Sequence, residues 1–91
     1  MVRVSGPDLA PLVAAVCGTV PRARRASHVR LRDAAGIFDD ALLTWMPGPR
    51  SYTGEDVAEV SCHGNPLLVE RLLDAFCAVG ARVAGPGEFT R

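Results

Sequence analysis

The sequence contains no lysine, because all ten of its basic residues are arginine. A phosphate-binding loop of the GxxxxGK[ST] type needs a lysine that reaches the phosphates of the nucleotide. This sequence therefore excludes that kind of nucleotide site, and we expect the chain neither to bind nor to hydrolyse GTP.

Cysteines, aromatic residues and long apolar runs are also scarce. The three cysteines are odd in number and have no CxxC spacing, which indicates a reduced, cytoplasmic protein. Every apolar run is far shorter than the roughly 20 residues of a membrane-spanning helix, so we expect no membrane partner. Aromatic residues make up only 5% of the chain, and the interleaved aromatics of a single-strand nucleic-acid binder are missing.

The chain is long enough for one small domain, with its charges unevenly divided. Residues 1–32 hold six arginines and one acidic residue, a net of +5, and residues 33–91 hold four arginines and nine acidic residues, a net of −5. The basic stretch from Arg22 to Arg32 is either a solvated surface or a contact for phosphate. The sequence leaves both interpretations open.

The first part of the chain predicts a strand followed by a helix. Val2 and Val4 alternate with Arg3, as in a short strand. Ser5 to Asp8 matches an S-x-x-D capping box, which predicts a helix that begins there and ends near Gly18. Pro11 would cost about 3 kcal/mol inside this helix, so we expect a kink or a later start.

The middle of the chain predicts a hairpin. Residues 28–33 alternate between apolar and polar, residues 34–36 are suited to a turn, and residues 41–46 return as an apolar strand. Apolar residues on both faces of the returning strand predict a central place in the sheet.

Residues 51–64 are the stretch around which the chain is organised. A polar turn leads into a strand from Val57 to Cys62, in which Ala58, Val60 and Cys62 are predicted to be buried. Asn65 and Pro66 form a helix start, and the apolar stripe that follows predicts a helix to about Val79.

Residues 81–84 predict a last short strand, ended by Gly85-Pro86-Gly87. The predicted order is therefore β-α-β-β-β-α-β, an α+β fold in which two helices cover one face of a mixed sheet.

Alternation along the strands selects two residues as a candidate site. If the helices cover one face of the sheet, Arg3 and Glu59 both lie on the other face. Such a pair could hold a ligand that has both hydrogen-bond donors and acceptors. It could equally be a surface ion pair worth less than about 1 kcal/mol.

The three cysteines and His63 are candidate chemical groups. Adjacent residues of a strand point in opposite directions, so Cys62 and His63 do not form a metal site or a nucleophilic pair. We interpret His63 as a structural or ligand-contacting residue. Cys17 and Cys77 lie near apolar helix faces and are predicted to belong to the core.

The aromatic residues give fewer indications. Trp45 is predicted to be a core residue rather than a platform for a cofactor. Tyr52 and Phe89 lie in turn-rich segments, where each could fill a small apolar cluster or stack on a flat ligand. The sequence does not separate these two roles.

Three blocks together resemble a known family. Arg3-Val4-Ser5-Gly6, the stretch from Ser51 to Gly64, and the closing residues 85–91 (Gly-Pro-Gly-Glu-Phe-Thr-Arg) are similar to the amino-terminal domain of the MnmE (TrmE) family of tRNA-modification GTPases. The similarity in spacing covers essentially all 91 residues.

The resemblance implies a tetrahydrofolate-binding domain with a fold similar to that of folate-binding aminomethyltransferases. The family's folate-contacting arginine and glutamate correspond to Arg3 and Glu59. The cofactor is expected to be a 5-formyl- or 5,10-methylene-tetrahydrofolate. It would supply a carbon for the carboxymethylaminomethyl group on C5 of the wobble uridine.

The resemblance also implies partners and missing parts. A homodimer, tRNA and a flavin-dependent partner protein (MnmG, also called GidA) are expected, whereas GTP, magnesium and potassium belong to the full-length proteins of the family. Residues 1–91 would be a single domain truncated at both ends, without the GTPase domain and without a folate-contacting lysine that follows in the family. The alternatives are a structural dimerisation domain that binds no ligand, or a piece of a folate-dependent aminomethyltransferase.

Overall fold

The computed structural model describes residues 1–49, 54–85 and 88–90, and the side chain of Val83 is left out of the description. The described chain forms six strands and two helices in the order β-α-β-β-β-α-β-β. Their bounds are β1 (Val2–Gly6), α1 (Ala10–Cys17), β2 (Ala26–Asp33), β3 (Gly36–Met46), β4 (Asp56–Ser61), α2 (Pro66–Ala78), β5 (Arg82–Gly85) and β6 (Glu88–Thr90). Neither helix of the described residues is long and apolar enough to cross a membrane.

The strands form one mixed sheet with the spatial order β2-β3-β4-β1-β6-β5. β1 pairs in parallel with β6, and all other neighbours are antiparallel. β3 has a neighbour on each side, which confirms its predicted place inside the sheet. β2 and β5 are the two edges.

The helices pack on one face of this sheet, and the apolar residues beneath them form the core. The buried cluster contains Leu12, Val13 and Val16 of α1, Leu72, Ala75 and Phe76 of α2, and the inward-facing strand residues Val2, Val4, Val29, Leu31, Leu43, Trp45, Ala58 and Val60. The prediction of an α+β fold with two helices and a mixed sheet is confirmed. Trp45 is a core residue, as predicted.

The start of α1 differs from the prediction. Ser5 lies inside β1, and the helix begins at Ala10 after an N-cap residue, Leu9, that has no side-chain cap. The capping-box prediction is therefore wrong, whereas the later start expected from Pro11 is confirmed, since proline is tolerated in the first helical turn. The helix ends at Cys17, and Gly18, with a φ of 80°, is its C-cap, as predicted.

The start of α2 agrees with the prediction. The side-chain oxygen of Asn65 accepts a hydrogen bond from the backbone N–H of Leu67 at 2.8 Å, and Pro66 occupies the first helical position. The helix ends at Ala78, and Val79 is its C-cap.

The last strand was not predicted. Residues 88–90 pair with β1, so the predicted order β-α-β-β-β-α-β lacks its final strand. This pairing buries Phe89 and makes it a core residue. The centres of the Phe89 and Phe76 rings lie 6.4 Å apart. Tyr52, the other aromatic residue left open, lies outside the described residues.

Three further predictions need correction. Cys77 is exposed on α2 rather than buried, because its position on the helix faces away from the sheet. β3 begins at Gly36, five residues before the predicted start, because the turn between β2 and β3 contains only residues 34 and 35. Cys62 was predicted to be a buried strand residue, but β4 ends at Ser61 and Cys62 is half-buried. Cys17 is buried as predicted.

Candidate ligand-binding site

Arg3 and Glu59 form a hydrogen-bonded ion pair on the face of the sheet that the helices leave uncovered, here called the open face. The two residues lie directly opposite each other in the antiparallel register of β1 and β4. Nε and Nη2 of Arg3 donate to Oε2 of Glu59 at 3.1 and 2.7 Å. The side chains are 38% and 17% exposed, so the pair is accessible at the surface but partly desolvated.

A second carboxylate flanks the same arginine. β6 places Glu88 beside Arg3 in the parallel register, and its Oε1 lies 3.8 Å from Nη1 of Arg3. Three charged residues on three adjacent strands therefore form a row, with the guanidinium between two carboxylates. Thr44 of β3 continues the row on the other side of Glu59.

Asp56, three residues before Glu59 in β4, joins the two described ends of the loop between β3 and β4. Asp56 accepts a hydrogen bond from the backbone N–H of Gly48 at 2.9 Å, and a side chain at Gly48 would collide with the carbonyl oxygen of Gly54. The two ends of the loop are thus fastened together beside β4. Val57, two residues before Glu59, is buried there although alternation turns it away from the helices.

A groove of about 290 Å³ lies at the opposite end of β4, beside Ser61. It is lined by His28, Asp40, Ala41, Leu42, Ser61, Cys62 and His63. Ser61 is two residues after Glu59, so the side chains of both lie on the open face. The row of charges and the groove are therefore neighbours on one surface.

His63 is held at the rim of the groove by Asp39. Its Nδ1 lies 2.8 Å from Oδ1 of Asp39. Burial of the Asp39 side chain opposes its ionisation, but hydrogen bonds from His63 and from the backbone N–H of Asp40 outweigh that effect and lower the pKa of Asp39. The side chain of His63 is 70% exposed, so the histidine is fixed by one nitrogen and presents the rest of its ring to solvent.

The opposite side of the hairpin is tied to α2 by an arginine. Arg71 donates to both carboxylate oxygens of Asp33, at 2.6 and 2.9 Å, and its guanidinium lies 4.6 Å from the centre of the Phe38 ring. The hydrogen bond from Arg71 lowers the pKa of Asp33 to about 2. This contact is structural, because it fixes the β2–β3 hairpin against the helix.

No cluster of three potential metal ligands occurs within residues 1–49, 54–85 and 88–90. The arrangement on the open face is instead suited to hydrogen bonding. Carboxylates accept hydrogen bonds from amino and ring N–H groups, and the groove offers polar atoms beside the apolar surface of Leu42.

The predicted pair is brought together by the structure, and sequence reasoning missed its neighbours. Glu88 was overlooked because the strand that carries it was not predicted. From the sequence, His63 was not connected with Asp39 or His28. In the structure Leu42 of β3 pairs with His28 of β2 on one side and with Ser61 of β4 on the other. The pairing register of these three strands was the signal that could have identified the groove.

Comparison with known proteins gives a consistent result. Over residues 1–91 the chain matches the family described as "GTP-binding protein TrmE N-terminus". It is 49% identical over 92 residues to the tRNA modification GTPase MnmE of Opitutus terrae. It is 50% identical over 92 residues to that of Phenylobacterium zucineum and 50% identical over 91 residues to that of Halorhodospira halophila.

These alignments cover 100%, 100% and 99% of this chain but only 20%, 21% and 19% of the relatives. The chain thus spans about a fifth of the length of the curated proteins that it matches. With the family description matching every residue, the chain belongs to the family of TrmE N-terminal domains.

Proposed function

We propose that this chain binds a reduced folate on the open face of the sheet, with Glu59 and Arg3 as its principal polar contacts. The observation that carries the proposal is the pair of hydrogen bonds that Arg3 donates to a single oxygen of Glu59. Within the described residues, both of these hydrogen bonds go to Oε2, so Oε1 of Glu59 keeps its acceptor capacity for a ligand.

The charges of the row favour a ligand edge that donates hydrogen bonds. Two carboxylates and one guanidinium give the row a net charge of −1, which disfavours an anionic group at that point. The pterin ring of a folate presents an amino group and ring N–H groups along one edge, and a carboxylate accepts such paired donors well. Arg3 holds Glu59 in place, and its positive charge suits a carbonyl oxygen of the ligand beside the pterin edge.

The groove supplies room for the rest of the molecule. Its volume of about 290 Å³ is close to the lower limit of small-molecule sites, and its lining residue Ser61 lies two residues after Glu59 on β4. Leu42 gives it an apolar floor, while His28 and His63 place polar ring atoms at its rim. A flat aromatic segment with a polar end fits this combination.

We assign the chain a role in tRNA modification as the folate-binding and dimerising part of a larger protein. The relatives are named tRNA modification GTPases, and this chain corresponds to about a fifth of their length. In this role the folate, as the 5-formyl or 5,10-methylene derivative, supplies a carbon for the group installed on C5 of the wobble uridine. GTP, magnesium, potassium and the flavin-dependent partner MnmG act with other parts of such a protein in the cytoplasm.

The test is calorimetric titration of 5-formyltetrahydrofolate into the protein and into two variants. Glu59→Gln should weaken binding about tenfold to a hundredfold, because one charge-assisted hydrogen bond contributes about 1.5–3 kcal/mol. Glu88→Gln is the matched control, since it removes the other carboxylate beside Arg3 and leaves Glu59 in place. It should change the affinity by less than about threefold.

Equal losses of folate affinity in Glu59→Gln and Glu88→Gln would contradict the role of Glu59. The effect would then come from the net charge of the row and not from a specific hydrogen bond. If the parent protein binds no folate but forms a dimer in analytical ultracentrifugation, the structural dimerisation domain becomes the better explanation.

A further inference from the structure

Arginines are concentrated along one edge of the sheet. Five of the ten arginines lie between residues 22 and 32, in the loop before β2 and in β2 itself, and no acidic residue occurs in that interval. β2 is an edge strand, so no further strand of residues 1–49, 54–85 and 88–90 covers this side. Arg22, Arg25 and Arg30 are exposed.

The loop that carries these arginines is held against the sheet. The backbone N–H of Arg24 donates to the carbonyl oxygen of Trp45 at 2.8 Å, and Ala23 forms an isolated parallel bridge with the same residue. Arg24 has a φ of 63°, a conformation that is uncommon for residues other than glycine. The backbone is thus bent and fixed so that Arg22 and Arg25 lie next to the start of β2.

Three of these guanidinium groups have no carboxylate partner in the part of the chain that the structure describes. Within the described residues, no acidic side chain lies within 4.0 Å of Arg22, Arg25 or Arg30. Arg30 faces Asp40 across the hairpin register, yet no ion pair joins them. Arg32, in contrast, turns towards α1, where its guanidinium group lies against Gly18.

We propose that this edge, formed by Arg22, Arg25 and Arg30 and here called the arginine edge, binds the phosphate backbone of duplex RNA. The proposal rests on the role in tRNA modification proposed above, which supplies an RNA partner, and it goes beyond the folate site. Guanidinium groups pair with phosphate in a bidentate manner, and several along one edge match a series of phosphates. Aromatic residues that would stack on bases are scarce, which favours a duplex over a single strand.

A second copy of the chain is a poorer partner for this edge. Among the contacts between described residues, seven of the ten acidic residues already make hydrogen bonds, ion pairs or other electrostatic contacts. The remaining three are Asp40, Glu70 and Asp74. Of these, Glu70 and Asp74 lie one turn apart on α2 and offer two carboxylates, whereas a duplex offers phosphates over its whole length.

The test is fluorescence anisotropy with a labelled duplex RNA of about 16 base pairs, the length that a small duplex-binding domain covers. Affinity is measured as a function of salt for the protein and for a variant with Arg22→Ala, Arg25→Ala and Arg30→Ala. Each lost phosphate contact lowers the slope of log affinity against log salt by about 0.7–0.9. We therefore expect the slope to fall by about 2–3 and the affinity to fall at least tenfold.

Two control variants separate this surface from charge in general. The same three positions changed to lysine keep the charge and should retain the salt slope. Arg82→Ala removes an exposed arginine from the opposite edge of the sheet and should leave the affinity within about twofold. Far-UV circular dichroism of the triple alanine variant establishes that it is folded.

The proposal is overturned if the slope of log affinity against log salt is unchanged in the triple alanine variant. It is also overturned if Arg82→Ala loses as much affinity for the duplex as the triple alanine variant. A salt-sensitive dimer that the triple alanine variant abolishes, without RNA binding by the parent, would assign the edge to a second copy instead. Folate titration of the same variants tells the two proposals apart. Folate binding should be unchanged in the triple alanine variant, and loss of RNA binding alone leaves the folate site intact.

Discussion

Asp56 of β4 caps the start of α1 at Leu9, although Asp56 and Leu9 are 47 positions apart in the chain. Its Oδ2 accepts a hydrogen bond from the backbone N–H of Leu9 at 3.0 Å, and Oδ1 accepts one from Gly48 at 2.9 Å. Leu9 is the N-cap of α1 and has no side-chain cap of its own. One carboxylate therefore satisfies a helix start and a loop at the same time.

Replacing Asp56 by alanine should lower the free energy of unfolding by about 2–3 kcal/mol. The change leaves two partly buried backbone N–H groups without an acceptor, and such groups cost about 1–3 kcal/mol. Asp56→Asn keeps one acceptor oxygen and should cost roughly half as much. Urea denaturation followed by circular dichroism measures both values, and equal stability of Asp56→Ala and the parent would contradict this role.

Removing the cap of α2 should have a smaller effect. Asn65→Ala deletes the acceptor of the Leu67 N–H, and loss of an N-cap costs about 1 kcal/mol. Asn65→Ser restores an acceptor and should recover most of the stability. Glu70→Ala, an exposed change on the same helix, should stay within about 0.5 kcal/mol of the parent in the same urea experiment.

The two helix starts explain what could be predicted from the sequence. Asn65 and Pro66 are local signals, because the cap and the group that it satisfies are two residues apart. Asp56 acts across the sheet, and no spacing in the sequence connects it with Leu9. The S-x-x-D pattern at Ser5 was misleading, because the strand extends through Ser5 to Gly6 and pairs with β4.

The candidate site likewise contains residues that a local pattern predicts and one residue that depends on a distant strand pairing. Alternation alone placed Arg3 and Glu59 on one face, since a strand turns successive side chains to opposite sides. Glu88 could not be assigned, because its three-residue strand is too short for a periodic pattern and pairs with a strand about 85 positions earlier. Cys77 was assigned to the core from its nearness to an apolar stripe, but the burial of Leu72 and Phe76 turns it outward.

The pair of Asp33 and Arg71 should make stability depend on acid pH. The pKa of Asp33 is lowered to about 2 in the folded protein, chiefly by the hydrogen bond from Arg71, whereas an unfolded aspartate has a pKa of about 3.9. The stabilisation is therefore fully present above about pH 4 and is lost as the pH falls towards 2.

Asp33→Asn should therefore be less stable than the parent at neutral pH and should approach it in acid. Urea midpoints measured from about pH 7 to pH 2 give the difference between the two proteins. Asp40→Asn, an exposed change in the same hairpin, is the control and should follow the pH profile of the parent. A difference between Asp33→Asn and the parent that stays constant with pH would show that the ion pair does not contribute.

The last prediction concerns the reactivity of the thiols. Burial raises the pKa of the Cys17 thiol to about 12, and the nearby charge of Arg32 only partly opposes this effect. At about pH 8 the thiolate fraction of Cys17 is then on the order of one in ten thousand, and the thiolate is the reactive form.

Cys77 is exposed and should react first with Ellman's reagent in the native protein, while Cys17 should react only on unfolding. Cys77→Ser should remove the fastest phase, and Cys17→Ser should leave the native time course unchanged. Rapid reaction of Cys17 in the native protein would mean that α1 opens from the sheet far more often than its buried contacts with the core predict.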